Sequence, residues 1–195
     1  MSEEDNFLDL INRLRAGDDQ AAEELVRQYE PLIRREVRFQ LRDQRLRRLF
    51  DSMDFCQSVL GSFFVRAATG QYDLQQPQDL VGLLVTMARN KVATQARNQY
   101  RLRRDVRQAA DVGALEVIAG NDPTPSRQVT QRELLEQVHD RLSGEELQLV
   151  ELRREGLAWA EIAAQLGGQA QARRMQLARA VERVMQELGL EESDA

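Results

Sequence analysis

Arginine dominates the chemistry this sequence can offer. Five arginines (Arg97, Arg101, Arg103, Arg104, Arg107) stand against one acid, Asp105, in one short stretch. Between Arg173 and Arg183 four arginines stand against Glu182. The chain as a whole is acidic, with 27 Lys+Arg against 32 Asp+Glu, so these are two basic ridges on a body that would otherwise repel a polyanion. That is the electrostatic footprint of a protein touching DNA at two places. Lys91 is the single lysine. Guanidinium forks suit phosphates and guanine edges, although a GC-rich genome would produce the same bias.

The residues needed for catalysis are missing. His139 is the only histidine and sits beside Asp140 in a helical stretch, which reads as a surface position. No nucleophile–base pair, no Cys/His set with metal spacing and no Gly-rich phosphate loop occurs. The sequence therefore predicts neither an enzyme nor a cofactor or metal site.

Helices must carry the two ridges. Four prolines and eleven glycines in 195 residues leave long unbroken stretches, and the fold expected is all-α. Phe7, Leu10, Ile11 and Leu14 repeat at helical spacing, and Gly17-Asp18-Asp19 should stop that helix and cap the next. Leu25, Tyr29, Ile33 and Val37 mark a second helix. Its expected continuation over 34–48 holds seven arginines, read as a solvated face with ion pairs rather than a DNA contact. Asp51-Ser52-Met53-Asp54 opens a third helix, residues 70–78 read as a loop, and 80–106 as a long helix. That last helix starts apolar and ends as the first ridge.

The periodicity fails over 111–129, where Asn121-Asp122-Pro123-Thr124-Pro125-Ser126 marks a linker. Extended, it spans about 60 Å at roughly 3.3 Å per residue. Leu115, Val117 and Ile118 predict that part of it docks. Two small helical domains follow, over 1–110 and 130–195. Beyond the linker four helices are expected, over 130–142, 144–155, 159–166 and 169–188, with Gly156 and Gly167 at helix ends. Leu177, Val181, Val184 and Leu188 form one core stripe, and Arg173 and Arg174 fall off it. A short helix, a glycine turn and a helix with a cationic start is a helix-turn-helix layout. Trp159 reads as a core anchor.

Taken in order, these segments resemble a bacterial RNA polymerase sigma factor of the extracytoplasmic-function (ECF) type, from about Leu10 to Leu188. The resemblance is carried by Leu14-Arg15-Ala16-Gly17-Asp18 with Ala22-Glu23-Glu24-Leu25, by Asp51-x-x-Asp54-x-x-Gln57, by Leu84-Val85-Thr86-Met87-Ala88-Arg89-Asn90, and by 151–163 as the helix-turn-helix. Departures suggest a divergent subgroup. Leu83 stands where the family commonly has tryptophan, and Ala158 where a serine caps. Gly168-Gln169 follow Gly167, and Arg173 holds a usually apolar position.

The resemblance implies partners and sites. Asp51, Asp54 and Gln57 lie along one helical stripe and would engage core RNA polymerase; the plainer reading is a helix cap and dipole partner. Tyr72 in the 70–78 loop would hold a flipped base, or simply pack. Asn90 would read a base edge, with Lys91, Arg97, Arg101 and Arg104 on phosphates. Gln169, Gln171, Arg173, Arg174, Gln176 and Arg179 would form the recognition helix, against the bland reading of a solvated helix face. The function implied is promoter-specific transcription initiation through minus-thirty-five and minus-ten elements. The alternative is a sigma-like adaptor binding polymerase or another protein without reading DNA. An anti-sigma regulator joins core polymerase and promoter DNA among the implied partners.

Cys56 alone cannot form an internal disulfide, and 80–88 is the longest apolar run, too short to cross a bilayer. The first six residues are acidic and unlike a signal peptide. These features predict a cytoplasmic protein.

Overall fold

The computed structural model describes residues 3–41, 51–110 and 131–190, without the side chains of 3, 4, 102–110 and 131. Eight α-helices and no strand occur among the described residues: α1 (Glu3–Arg15), α2 (Asp19–Gln40), α3 (Ser52–Ala68), α4 (Pro77–Ala110), α5 (Gln131–His139), α6 (Gly144–Arg154), α7 (Trp159–Leu166) and α8 (Ala170–Glu187). The all-α reading holds. The expected linker, including Leu115, Val117 and Ile118, lies outside the described residues.

Local chemistry sets the boundaries. Asp18 caps α2, its carboxylate accepting the Gln20 and Ala21 N–H groups, which satisfies two of the donors a helix start leaves orphaned. Gly17 takes the left-handed turn before it. The expected run of helix to residue 48 stops earlier: Leu41 closes α2, its N–H bonding the Val37 carbonyl, and 42–50 fall outside the described residues. α4 begins sooner than expected, at Pro77, because proline suits a first turn that needs no N–H donor.

Two apolar clusters form. The first gathers Leu14, Leu25, Ile33 and Val37 of α1 and α2, Val59 and Phe63 of α3, and Leu80, Leu84 and Ala88 of α4. The second gathers Leu149, Ile162, Leu177, Val181, Val184 and Met185 of the last three helices with Val138. The predicted stripe on α8 is its backbone, with Leu188 only partly buried at its end. One helix joins both clusters. α3 buries residues on nearly every side, the pattern of a central helix, and its Val65 belongs to the second cluster.

Candidate nucleic-acid and polymerase interface

The C-terminal ridge is built on a helix-turn-helix. Ser143 and Glu146 form a capping box at the start of α6, and α6 ends in a turn at Gly156, which has φ +89°. α7 follows from Ala158, which gives no side-chain cap, as the sequence implied. Glu161 meets half of the need: its carboxylate accepts the Ala158 N–H at 2.7 Å. Two left-handed glycines, Gly167 (φ +77°) and Gly168 (φ +86°), then turn the chain into α8.

Arg173 holds that turn closed. Its guanidinium donates to the carbonyls of Leu166 (2.8 Å) and Gly167 (3.0 Å) and to the side chains of Glu145 (2.8 Å) and Gln176 (2.9 Å). A cation at the C-terminal carbonyls of α7 is also well placed for the helix dipole. The Arg173 side chain is 17% exposed. Its hydrogen bond holds Glu145 below the usual carboxylate range, helped by a bond from Gln176. Arginine offers only donors and a carboxylate only acceptors, so Gln176 must turn its oxygen to Arg173 and its amide nitrogen to Glu145. Of the six residues expected on the recognition helix, Arg173 and Gln176 are thus tied into the turn. Gln169, Gln171, Arg174 and Arg179 are exposed.

An open groove of about 710 Å³ runs along this face, lined by Gln169, Gln171, Met175, Gln176, Arg179 and Arg183. Met175, 40% exposed, is a residue the sequence reading passed over. Its signal was available: an apolar residue among cations and amides, off the Leu177–Val181–Val184 stripe. Arg183 pairs with Glu146, which lines the same groove, at 2.9 Å. Burial pushes the Glu146 carboxyl up, but bonds from Ser143 and the Arg183 charge leave it below its ordinary value.

Trp159 is half-buried at the edge of the second cluster rather than at its centre. The Arg153 guanidinium sits 5.0 Å from its ring centroid, a cation–π arrangement.

The first ridge rises from α4. Leu80, Leu84, Ala88 and Val92 repeat every four residues and are buried, which leaves Arg89, Asn90, Arg97 and Arg101 exposed on the remaining surface. Arg89 bridges to Glu36 of α2 at 2.8 Å; that bond, with one from Gln40, keeps Glu36 below the usual carboxylate range. Arg97 bonds the Thr94 hydroxyl at 3.0 Å. The Arg104 side chain lies outside the described residues. Tyr100, 56% exposed between Arg97 and Arg101, is a second residue not singled out from the sequence. An aromatic interleaved with cations was its signal.

Tyr72 packs inward. Its ring stacks on Phe63 with centroids 5.9 Å apart and planes at 10°, and its hydroxyl meets the Met87 sulfur at 3.7 Å. Burial pushes its phenol above the ordinary value. Lys91 points at the other unit, its ammonium donating to the Leu190 carbonyl.

Asp51, which caps α3, and Asp54 and Gln57 on it are all exposed, whereas most of α3 is buried. Asp51 caps by accepting the Met53 N–H at 2.9 Å, so capping accounts for one member of the stripe and leaves Asp54 and Gln57 without that role.

Cys56 is fully buried and its thiol is pushed up to about 12, chiefly by burial. No group of three or more His, Cys, Asp or Glu side chains with metal-holding geometry occurs among the described residues. No described helix is long and apolar enough to cross a membrane.

Compared with known families, residues 4–188 match the model described as ECF sigma factor. The chain belongs to the ECF sigma factor family. No curated protein and no solved structure matches it. Membership makes this ECF sigma factor a transcription-initiation protein, with core RNA polymerase and promoter DNA as its partners.

Proposed function

We propose that this ECF sigma factor directs core RNA polymerase to promoters by reading two DNA elements with its two helical units. The family match over 4–188 is the observation that carries the reading. In it, the exposed Asp54 and Gln57 of α3 meet a basic surface of core polymerase. Gln169, Gln171, Arg174 and Arg179 on α8 face the major groove at the minus-thirty-five element. An arginine or glutamine reaching a base edge there contributes about 1–3 kcal/mol of discrimination.

Asn90, Lys91, Arg97, Arg101 and Arg104 on α4 meet the minus-ten element, with Tyr72 as the residue that would receive an unstacked base. Holding one base out of the stack costs a few kcal/mol, and stacking on an aromatic returns about 1–3 kcal/mol. Tyr72 must first leave Phe63 for that role, whereas Tyr100 already presents its ring to solvent. Polymerase makes the RNA, and the sigma factor supplies placement alone.

Run-off transcription with purified core polymerase on genomic promoter fragments tests the reading. Discrete start sites that depend on the added chain, and shift with mutations upstream of them, are the expected result. Polymerase binding without any promoter-dependent product would replace it with an adaptor role.

A further inference from the structure

A large apolar side chain, Met175, stands 40% exposed in the groove along α8. Gln171, Met175 and Arg179 follow one another at four-residue spacing, so they form a row along one face of the helix. All three are exposed and all three line the groove. The core does not need Met175. Leu177 and Val184, which are fully buried, fall on the opposite side of the helix at about 100° per residue.

The polar side chains beside it are partly engaged within the protein. Gln176 turns its oxygen to Arg173, and Arg183 pairs with Glu146 and donates to the Arg141 carbonyl at 3.2 Å. Ala172 and Ala180 also line the groove, and their short side chains leave space beside the thioether.

An amide, a thioether and a guanidinium in one row suit three different base edges of the major groove. Glutamine pairs with adenine and arginine with guanine. An apolar group suits the C5-methyl of thymine, the apolar feature that a base presents there. Methionine is flexible and polarisable, so it adjusts to a methyl group over a range of approach. The positive charge of Arg174 and Arg179 on the same helix draws a polyanion to this end of the molecule.

We propose that Met175 is a specificity-determining residue that reads a thymine methyl in the upstream element. The inference rests on the placing of α8 in the major groove proposed above, and adds the base that one position selects. Four residues of helix advance about 6 Å, and base pairs lie about 3.4 Å apart. With α8 along the groove, Gln171 and Arg179 therefore meet base pairs on either side of that thymine.

The test uses parent and variant chains bound to core polymerase, each selecting duplexes from a pool randomised across the upstream element. The parent should enrich thymine at one position that Met175→Ala no longer enriches, and Met175→Leu should restore it. Deoxyuridine in place of thymidine at that position removes the methyl alone. It should weaken the parent complex about three- to fourfold, as expected for one methyl-sized apolar contact, and leave the Met175→Ala complex unaffected.

Identical enrichment by parent and Met175→Ala overturns the inference, and so does an equal loss in both on removal of the methyl. Weaker polymerase binding by Met175→Ala with unaltered enrichment also overturns it, assigning the side chain to a protein contact. Enrichment at no upstream position by the parent defeats the placing of α8 in the groove itself, and the inference falls with it.

Discussion

The two helices that carry the basic ridges are prepared in opposite ways. α8 is set for use: Arg173 ties its first turn to the end of α7 and to Glu145, and leaves Gln169, Gln171, Arg174 and Arg179 exposed beside an open groove. α4 is held back, with Lys91 on the Leu190 carbonyl and the nearby Tyr72 stacked on Phe63. If α8 reads the groove as proposed, its pre-ordered first turn loses little side-chain freedom on binding. In the proposed function α4 meets the minus-ten element, and in the free chain Lys91 and Tyr72 already have partners within the protein.

Substitutions can break this contrast or sharpen it. The largest effect is expected from Phe63→Ala, which removes a fully buried ring and the stack beneath Tyr72. Loss of about 3–5 kcal/mol should appear in denaturant unfolding.

Arg173→Met comes next. It strips a charged donor from two helix-end carbonyls, and hydrogen bonds to charged groups contribute about 1.5–3 kcal/mol. The expected outcome is a lower melting temperature with an unchanged salt slope for upstream duplex binding. Arg174→Ala should do the reverse, leaving stability alone and reducing the magnitude of the slope by about 0.9 if its phosphate contact is lost. A fall in slope for Arg173→Met would make Arg173 a DNA contact after all and erase the contrast.

A smaller gain is expected from Ala158→Ser. Glu161 already accepts the Ala158 N–H, so a hydroxyl completes the capping box and should add about 0.5–2 kcal/mol, read as a higher melting temperature.

The smallest effect is on pH. Glu145 has its folded pKa below its unfolded value because of Arg173. Its contribution is therefore present above the ordinary carboxylate range and fades as pH falls through the folded pKa. The melting-temperature difference between the parent chain and Glu145→Gln should stay constant from neutral pH down to the ordinary carboxylate range and shrink only below it.

On α3, Asp54→Ala should weaken core polymerase association while changing stability by no more than about 0.5 kcal/mol. Asp51→Ala should also lose its cap. Equal polymerase affinity for folded Asp54→Ala and parent would remove α3 from the proposed contact.

What the sequence revealed was short-range or periodic. The Asp18 cap, the glycine stops at Gly156 and Gly167, and the Leu177–Val181–Val184 stripe follow from spacing alone, and the structure has them. So does the absence of a side-chain cap at Ala158. The partners of Arg173 were hidden because two are backbone carbonyls, which every residue owns, and Glu145 is 28 positions away. Leu190 and Lys91 are 99 apart, and nothing in either neighbourhood marks the pairing. Gly61 reads as an ordinary weak point in a helix, yet a Cβ there would stand 3.1 Å from the Leu190 side chain. The early stop of α2 at Gln40 escaped detection because the arginines beyond it are good helix formers.

The solitary lysine at the join between the units has a practical corollary. Acylating reagents aimed at primary amines find one side-chain target in all 195 residues, and its nitrogen is engaged by the Leu190 carbonyl. The rate of Lys91 modification therefore reports whether that hydrogen bond to Leu190 is made, readable by mass spectrometry without attaching a probe. Neutralising that amine would at the same time remove a cation from the surface assigned to DNA.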